Sequence, residues 1–324
     1  PIFRADPPNM NYIRLNYPAG TLQASGIAVG LPWNEEGNPE VGYLPLGAGK
    51  VLYQDYPRVS LAIRDGSFNK NKELLGAIEH AKTNKGKVNL VGMVGDGTSH
   101  SVFEHLDALI KLAESNGVDY ALHLFTDGKD SSSQSAARLL TRVPNEKIAS
   151  ISGRHFAMDR DLHWEKTRRV YDTITGNTSV VDTGGQNVSA FMSTFYARNL
   201  TDDFVAPMLV KKGGEIAAGD GVIFFNLRED SMSQLVQMFV DPKVGNAGDI
   251  SLGQRVEDHK ILENLRIVTL TDYGARFSLP VAFPQERVIN PLGKVLSDNS
   301  KIQLKIAETE KYIYITNFFN GMSE

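Results

Sequence analysis

Residues suited to holding an anion follow four predicted strands of this sequence. The four loops are Gly95-Asp96-Gly97-Thr98-Ser99-His100, Thr126-Asp127-Gly128-Lys129-Asp130, Ser152-Gly153-Arg154 and Arg228-Glu229-Asp230. Arg160 comes six residues after Arg154, and Lys311 stands just ahead of an apolar run near the end. Arg offers a planar fork that fits phosphate or carboxylate and Lys offers a point charge, so the set suits a small polyanion.

Taken one at a time, these side chains have ordinary explanations. A single Arg or Lys in a loop is most often a solvated charge, Asp130 could cap the following helix, and His100 could bond a loop carbonyl. In a parallel α/β sheet, however, ligands lie outside the carboxyl ends of the strands, where the loops converge. Because all four loops follow strands, the sequence favours one shared site over scattered surface charge.

Hydrophobic periodicity predicts the elements that must position these loops. From about residue 70 to 280, β-branched runs alternate with amphipathic stretches, which is typical of βα units on a largely parallel sheet. The predicted strands are Val88–Val94, Tyr120–Phe125, Ile148–Ile151, Val222–Leu227 and Leu265–Leu270. The predicted helices are 103–113, closed by Gly117, and Gln134–Leu140, Asp161–Ile174 and Ser233–Val240. The stretch Thr178–Gly219 is harder to assign.

The two ends of the chain differ from its middle. Residues 1–53 are rich in Gly, Pro, Asn and Tyr, whereas 286–324 carries an amphipathic helix pattern and an apolar run, Tyr312–Phe319, that we interpret as a strand. We expect the ends, 1–54 and 286–324, to pack together as the remains of one domain, with 55–285 inserted between them. The segments 53–63 and 279–284 are the expected connections between the two domains and the candidate hinge.

Length and composition restrict the class of protein. At 324 residues, two domains or one domain with a large insertion are expected. The net charge of -4 gives no general attraction to nucleic acid or membrane, and no apolar run approaches the ~20 residues that cross a bilayer. The absence of Cys excludes disulfides and thiolate sites and fits a reducing compartment. The opening Pro-Ile-Phe-Arg suggests that the natural N-terminus lies upstream.

Several other catalytic motifs fail on inspection. Gly47-Ala48-Gly49-Lys50 is not a phosphate loop, because Leu44 stands where the first glycine should be and Val51 follows the lysine. His100 and His105 are five residues apart, off a common helix face, so they predict no metal pair. The sequence contains no Gly-x-Ser-x-Gly elbow. Trp33 and Trp164 are interpreted as packing residues, without basic-aromatic interleaving that would indicate nucleic acid.

Together, the loops match one family in order and spacing through nearly the whole chain. The matching segments are Gly37-Asn38-Pro39-Glu40-Val41-Gly42-Tyr43, Gly47-Ala48-Gly49, Tyr53-Gln54-Asp55, Asp96-Gly97 to His100, Asp127 to Asp130, Ser152-Gly153-Arg154, Ala157 to Asp161, Phe225 to Arg228 and Ala307 to Tyr312. In these motifs the chain resembles the 2,3-bisphosphoglycerate-independent phosphoglycerate mutases. Agreement over so many motifs is far more specific than any one of them.

The resemblance implies two domains and a reaction. It implies an α/β phosphotransferase domain at 55–285, inserted into a partial alkaline-phosphatase-like domain formed by 1–54 and 286–324. Enzymes of that family interconvert 3- and 2-phosphoglycerate in glycolysis through a phosphoserine intermediate, and they hold two Mn²⁺ or Mg²⁺ ions. By resemblance, the substrate-binding residues are His100, Lys129, Asp130, Arg154, Arg160, Arg228 and Lys311. Asp130 is also the candidate general acid or base. A cytoplasmic monomer acting on a small molecule, without nucleic acid or membrane, is expected.

This sequence departs from the family pattern at several positions. The nucleophilic serine falls at Pro39, which has no hydroxyl to carry a phosphoryl group. Lys129 and Ser231 stand where the family has Arg, and Tyr43 replaces a His. The family's Asp-Gly metal motif and its later Asp and His ligands have no counterpart, so we expect no metal ligands in this chain and no bound Mn²⁺ or Mg²⁺.

Two functions follow as hypotheses. The first is a phosphoglycerate mutase by family whose own activity is lost because Pro39 replaces the nucleophile and metal ligands are missing. The second is a non-catalytic phosphoglycerate-binding pseudoenzyme or fragment of the same fold. A phosphatase or sulfatase of the wider superfamily is a third possibility, but it would not explain the glycerate-binding motifs.

Overall fold

The structure, a computed structural model, describes residues 2–242, 244 and 261–322. The helices are α1 (Ile2–Ala5), α2 (Pro8–Asn16), α3 (Pro39–Ala48), α4 (Asp55–Asp65), α5 (Lys72–Thr83), α6 (Phe103–Ser115), α7 (Ala136–Leu140), α8 (Arg154–Ala157), α9 (Trp164–Ile174), α10 (Val188–Tyr196), α11 (Ser233–Val240), α12 (Leu292–Asp298) and α13 (Tyr312–Thr316). The strands are β1 (Val88–Val94), β2 (Tyr120–Thr126), β3 (Ile148–Gly153), β4 (Met208–Leu209), β5 (Gly221–Phe224) and β6 (Arg266–Thr269). Two compact units result, one from 1–54 with 287–324 and one from 55–286.

The unit of residues 55–286 is built on one sheet with strand order β4-β3-β2-β1-β5-β6. Every pair of neighbouring strands is parallel except β3 and β4. Val94 pairs with Thr126, and Thr126 pairs with Gly153, so β1, β2 and β3 end side by side. The prediction of an α/β fold on a largely parallel sheet is confirmed, and the loops that follow these strands emerge at one edge.

Helices cover both faces of this sheet. On one face, Leu90 of β1 packs in a cluster with Leu109 of α6. On the other, Val91 lies in a cluster where the rings of Phe224 and Phe239 are 5.6 Å apart. Strands buried on both faces read as continuous apolar runs, which is why β1 could be predicted to the residue.

The stretch that was hard to assign contains α10 and β4. Strand β4 has only two residues, too few for a recognisable alternation. Its pairing with β3 depends on residues almost sixty positions earlier in the chain. Tertiary packing therefore decides this region more than local propensity does.

The unit of residues 1–54 and 287–324 contains α1, α2, α3, α12 and α13. The predicted strand Tyr312–Phe319 is wrong, because the chain forms α13 there, followed by a short turn at Phe318–Asn320. Tyr314 stacks on Tyr43 of α3 and on Phe318 four residues later, with ring centroids 6.2 and 5.7 Å apart. A short apolar run fits either a strand or a helix, and here the aromatic contacts are helical.

No helix among the described residues has the length and the apolar character that crossing a membrane requires.

Candidate functional site

Arg154 joins three of the predicted loops. It begins α8 directly after β3, and its side chain is only 14% exposed. One terminal nitrogen, Nη1, donates to Asp127 Oδ1 at 2.5 Å and lies 3.3 Å from Asp130 Oδ2. The other, Nη2, lies 3.0 Å from His100 Nε2. The loops after β1, β2 and β3 therefore meet at a single guanidinium group.

Asp127 shapes the loop that carries Asp130. Its buried Oδ1 accepts the backbone N–H groups of Lys129 at 3.2 Å and Asp130 at 3.1 Å. Gly128 between them has φ +74°, which other residues rarely adopt. Burial by itself would raise the pKa of Asp127, but hydrogen bonds, from Ser131 and Arg154 first, lower it below the ordinary value. The carboxylate is thus held ionised and fixes both the turn and Arg154.

The loop after β1 approaches Asp130 closely. A Cβ at Gly97 would lie 2.9 Å from Cβ of Asp130, so a larger residue there would push the two loops apart. The N–H of Asp96 donates to Ser131 Oγ at 2.7 Å. This approach leaves Asp130 Oδ2 3.8 Å from His100 Nε2, with the Asp130 side chain 28% exposed. Asp130 is accordingly both attached to the cluster and open to solvent.

His100 is buried at the centre of the cluster. Its Nδ1 lies 3.2 Å from Ser231 Oγ, and its backbone carbonyl accepts the N–H of Leu227 at 2.7 Å. Burial and then the charge of Arg154 lower the pKa of His100, while Asp130 acts in the opposite direction. The loop after β5 is thereby linked to the loops after β1 and β3.

Arg160 and Arg228 form a second group around Asp230. Arg160 Nη1 donates to Asp230 Oδ2 at 2.5 Å, and Arg228 Nε lies 2.9 Å from Asp230 Oδ1. Both arginine side chains are 51% exposed. A cavity of about 710 Å³ adjoins this group and is lined in part by Arg160, Asp230 and Arg276. We call His100, Asp127, Asp130 and Arg154 the inner group, and Arg160, Arg228 and Asp230 the outer group.

Three predicted residues, Lys129, Lys311 and Pro39, have no side-chain contact with the inner or outer group among the interactions of the described residues. Lys129 is exposed in the loop after β2. Burial lowers the pKa of His155, and the charges of Lys166 and Lys129 act in the same direction. Lys311 belongs to the unit of residues 1–54 and 287–324, where it pairs with Glu310 at 2.8 Å.

Pro39 belongs to that same unit and starts α3. The side chain of Asn38 caps this helix by accepting the N–H of Val41 at 3.2 Å. Position 39 therefore lies at a helix N-terminus, with no hydroxyl present.

Two alternatives raised by the sequence, helix capping by Asp130 and a carbonyl contact of the His100 imidazole, do not describe these side chains. Asp130 does not cap a helix, because α7 begins at Ala136 and Asp202 Oδ2 accepts the N–H groups of Ser135 at 2.7 Å and Ala136 at 2.8 Å. The imidazole of His100 contacts Ser231 and Arg154 rather than a loop carbonyl.

One group among the described residues has the spacing of metal ligands: Asp159, Asp161 and His163. However, Asp159 Oδ1 accepts backbone N–H groups of Asp161 and His163, and Oδ2 lies 3.0 Å from His163 Nδ1 and 3.4 Å from the ammonium of Lys166. These contacts tie the loop before α9 together. A nearby ammonium opposes a divalent ion, so the donor set does not fit a resident metal.

Asp127 and Asp230 hold the two groups together, although neither was predicted as a site residue. Both belong to the loops that follow predicted strands, next to the cations that were predicted to bind the anion. The position of Asp127 could have indicated its role, because this carboxylate directly follows β2 and Arg154 directly follows the neighbouring strand β3. Asp230 comes two residues after Arg228, but its pairing with Arg160, seventy residues earlier, has no signal in the sequence.

The α/β unit contains the part of the chain that matches a known protein family. A family model described as BPG-independent PGAM N-terminus (iPGM_N) matches residues 59–275. The chain belongs to this family. That match includes the inner and outer groups and Lys129, whereas Pro39 and Lys311 lie outside it.

Individual relatives of the BPG-independent mutase family agree with this assignment. The chain is 38% identical over 324 residues to 2,3-bisphosphoglycerate-independent phosphoglycerate mutase of Aster yellows witches'-broom phytoplasma (strain AYWB), covering 99% of this chain and 63% of the relative. It is 40% identical to the enzyme named 2,3-bisphosphoglycerate-independent phosphoglycerate mutase 1 of Methanosarcina barkeri, covering 100% and 63%. Crystal structures of Leishmania mexicana phosphoglycerate mutase at low cobalt concentration include a chain with TM-score 0.63 and 25% identity, covering 97% and 60%. The chain spans about three fifths of the length of these proteins.

Proposed function

We propose that the unit of residues 55–286 binds phosphoglycerate at the carboxyl edge of its sheet. The observation that carries the proposal is Arg154, whose guanidinium group contacts Asp127, Asp130 and His100 from three separate loops. Arg154 and the two half-exposed arginines of the outer group supply the donors for a phosphate and a carboxylate. Membership in the mutase family supports the same ligand.

Asp130 is our candidate general acid or base for a glycerate hydroxyl. It lies beside Arg154 and is 28% exposed, so a ligand hydroxyl can approach it. Lys129 and Lys311 are proposed as further substrate contacts on the resemblance to the family. On the same resemblance we propose a cytoplasmic location and a monomeric state.

We further propose that this chain has no mutase turnover. The family reaction, interconversion of 3- and 2-phosphoglycerate through a phosphoserine, requires a hydroxyl where the resemblance puts Pro39. Two Mn²⁺ or Mg²⁺ ions would stabilise charge on the transferred phosphoryl group. The described residues offer Asp159, Asp161 and His163, which do not fit such ions, so no step is assigned to a metal here.

A non-catalytic phosphoglycerate-binding protein is therefore the form of the family function that we favour for this chain. Pro39 is the observation that favours it, because proline cannot form a phosphoenzyme. A phosphatase or sulfatase would need the same missing nucleophile and would leave the inner group without a role.

Calorimetric titration with 3-phosphoglycerate tests binding, and glycerate and inorganic phosphate serve as matched partial ligands. We expect 3-phosphoglycerate to bind more tightly than either part, because it can engage Arg154 of the inner group and the two arginines of the outer group. Equal affinity for phosphate and 3-phosphoglycerate would contradict the proposed ligand. In a coupled mutase assay with Mn²⁺ we expect no conversion, and measurable formation of 2-phosphoglycerate would show that Pro39 does not abolish turnover.

A further inference from the structure

The hydrogen bonds of His100 determine where its proton lies. A guanidinium group only donates, so His100 Nε2, 3.0 Å from Arg154 Nη2, must accept and carries no proton. A neutral imidazole then has its proton on Nδ1, which lies 3.2 Å from Ser231 Oγ. Ser231 Oγ in turn donates to the carbonyl of Arg228 at 3.0 Å. Its hydrogen is thus used, and its lone pairs are available to Nδ1–H.

We propose that Ser231 is a positioning residue that holds His100 in the neutral tautomer protonated at Nδ1. The Nε2 lone pair is then kept toward Arg154 and Asp130, at the centre of the inner group. Ser231 stands where the resemblance implies an arginine. At this position the chain therefore carries, instead of a cation, a hydroxyl that helps to hold the tautomer of its neighbour.

The charges around His100 agree with this arrangement. Arg154 and Arg228 face the imidazole as cations, and Asp130 and Asp230 face it as carboxylates. Burial is the largest influence and acts with the cations, so the pKa of His100 lies below its ordinary value. The imidazole is accordingly neutral at pH 7, with Arg154 donating to Nε2 and Ser231 accepting from Nδ1–H, so both contacts keep the proton on Nδ1.

The consequence for ligand binding rests on the proposed function. In this tautomer His100 offers an acceptor, not a donor, toward Arg154 and Asp130. Phosphate oxygens would then be bound by the arginines, and His100 would accept a hydrogen bond from Arg154 or from a ligand hydroxyl.

Two-bond ¹H–¹⁵N spectra of the ¹⁵N-labelled chain, recorded at pH 7 without ligand, test the proposal directly. We expect His100 to show a protonated Nδ1 and an unprotonated Nε2. Finding Nε2 protonated, or an imidazolium, in the wild-type chain overturns the proposal. His123 is an internal reference, because it is fully buried, with Nδ1 2.8 Å from Ser150 Oγ and Nε2 3.2 Å from Asn89 Oδ1.

Variants separate a positioning role from a purely structural one. Ser231→Ala should remove the single-tautomer pattern of His100 and leave the His123 signals in place, whereas Ser231→Thr should restore the wild-type pattern. An unchanged His100 pattern in Ser231→Ala would reject the role of Ser231. If the His123 signals also move, the alanine variant has lost its fold. The proposal is then tested by whether the wild-type and Ser231→Thr spectra show His100 protonated at Nδ1 alone. Because no ligand is present, failure of this test is distinct from failure of 3-phosphoglycerate binding.

Discussion

The inner and outer groups use the same residue types in opposite surroundings. Arg154 is 14% exposed and its partner Asp127 is buried, whereas Arg160 and Arg228 are each 51% exposed around Asp230. Breaking a buried ion pair costs about 3–5 kcal/mol, but an exposed pair contributes about 0–1 kcal/mol. The inner group is therefore part of the fold, while the outer group can bind a ligand without supporting the fold.

Replacing Arg154 should have the largest effect. Arg154→Met leaves the Asp127 carboxylate buried without its cation, so we expect a loss of about 3–5 kcal/mol in the free energy of unfolding. Binding of 3-phosphoglycerate should weaken by at least about 30-fold. Urea unfolding followed by Trp164 fluorescence, in a Trp33→Phe background, reports on the unit of residues 55–286.

The matched control is Arg138→Met. Arg138 pairs with Asp96, and both side chains are exposed, so this change should cost less than about 1 kcal/mol. If the two variants were equally stable, burial of the Asp127–Arg154 pair would not distinguish the inner group.

Asp127→Asn should have an intermediate effect that depends on pH. At pH 7 we expect a loss of about 2 kcal/mol, because Arg154 loses a charged acceptor. The pKa of Asp127 is lowered in the folded state, so its stabilisation is complete above the unfolded-state pKa of about 3.9 and disappears as the pH falls through the folded-state pKa.

Urea unfolding of wild type and Asp127→Asn between pH 7 and pH 2.5 tests this pH dependence. The difference between their free energies of unfolding should narrow below about pH 4. Asp96→Asn, the exposed counterpart, should show no such trend. A difference that widened toward low pH would mean that Asp127 is not stabilised as a carboxylate.

Replacing either outer arginine should have the smallest effect on folding. Arg228→Met and Arg160→Met should each change the free energy of unfolding by less than about 0.5 kcal/mol. Each should weaken 3-phosphoglycerate binding by about tenfold, or about 1.4 kcal/mol. Arg168→Met, on α9 and paired with Asp172, is a control that should leave the calorimetric affinity unchanged. Loss of stability without loss of affinity would reverse the assignment of the two groups.

Sequence was most informative where one physical signal dominated. Strand β1 and helix α6 were predicted closely because burial on both sides of a parallel sheet leaves a continuous apolar run followed by helical periodicity. Strand β4 was missed because two residues carry no period. The run Tyr312–Phe319 was predicted as a strand, but residues 312–316 form a helix. Tyr314 of this helix stacks on Tyr43, a contact between residues far apart in the sequence that local periodicity cannot reveal.

For the candidate site, the residue types and their location at the carboxyl edge of the sheet could be predicted from the sequence. The side-chain partners of these residues could not. The register of β1, β2 and β3 explains why His100, Asp130 and Arg154 meet. Which arginine is buried, and that Ser231 contacts His100, depends on side-chain packing between loops more than fifty residues apart. The roles assigned to these residues in binding stay predictions.

Proline suits the backbone at position 39, where the resemblance to the family puts the nucleophilic serine. The first residue of a helix has no partner for its N–H, and proline already holds the backbone angle that the helix needs. Folding therefore exerts no pressure to remove proline from this position. A lineage that gave up the chemistry could keep the architecture intact, so the scaffold and the reaction would be free to diverge.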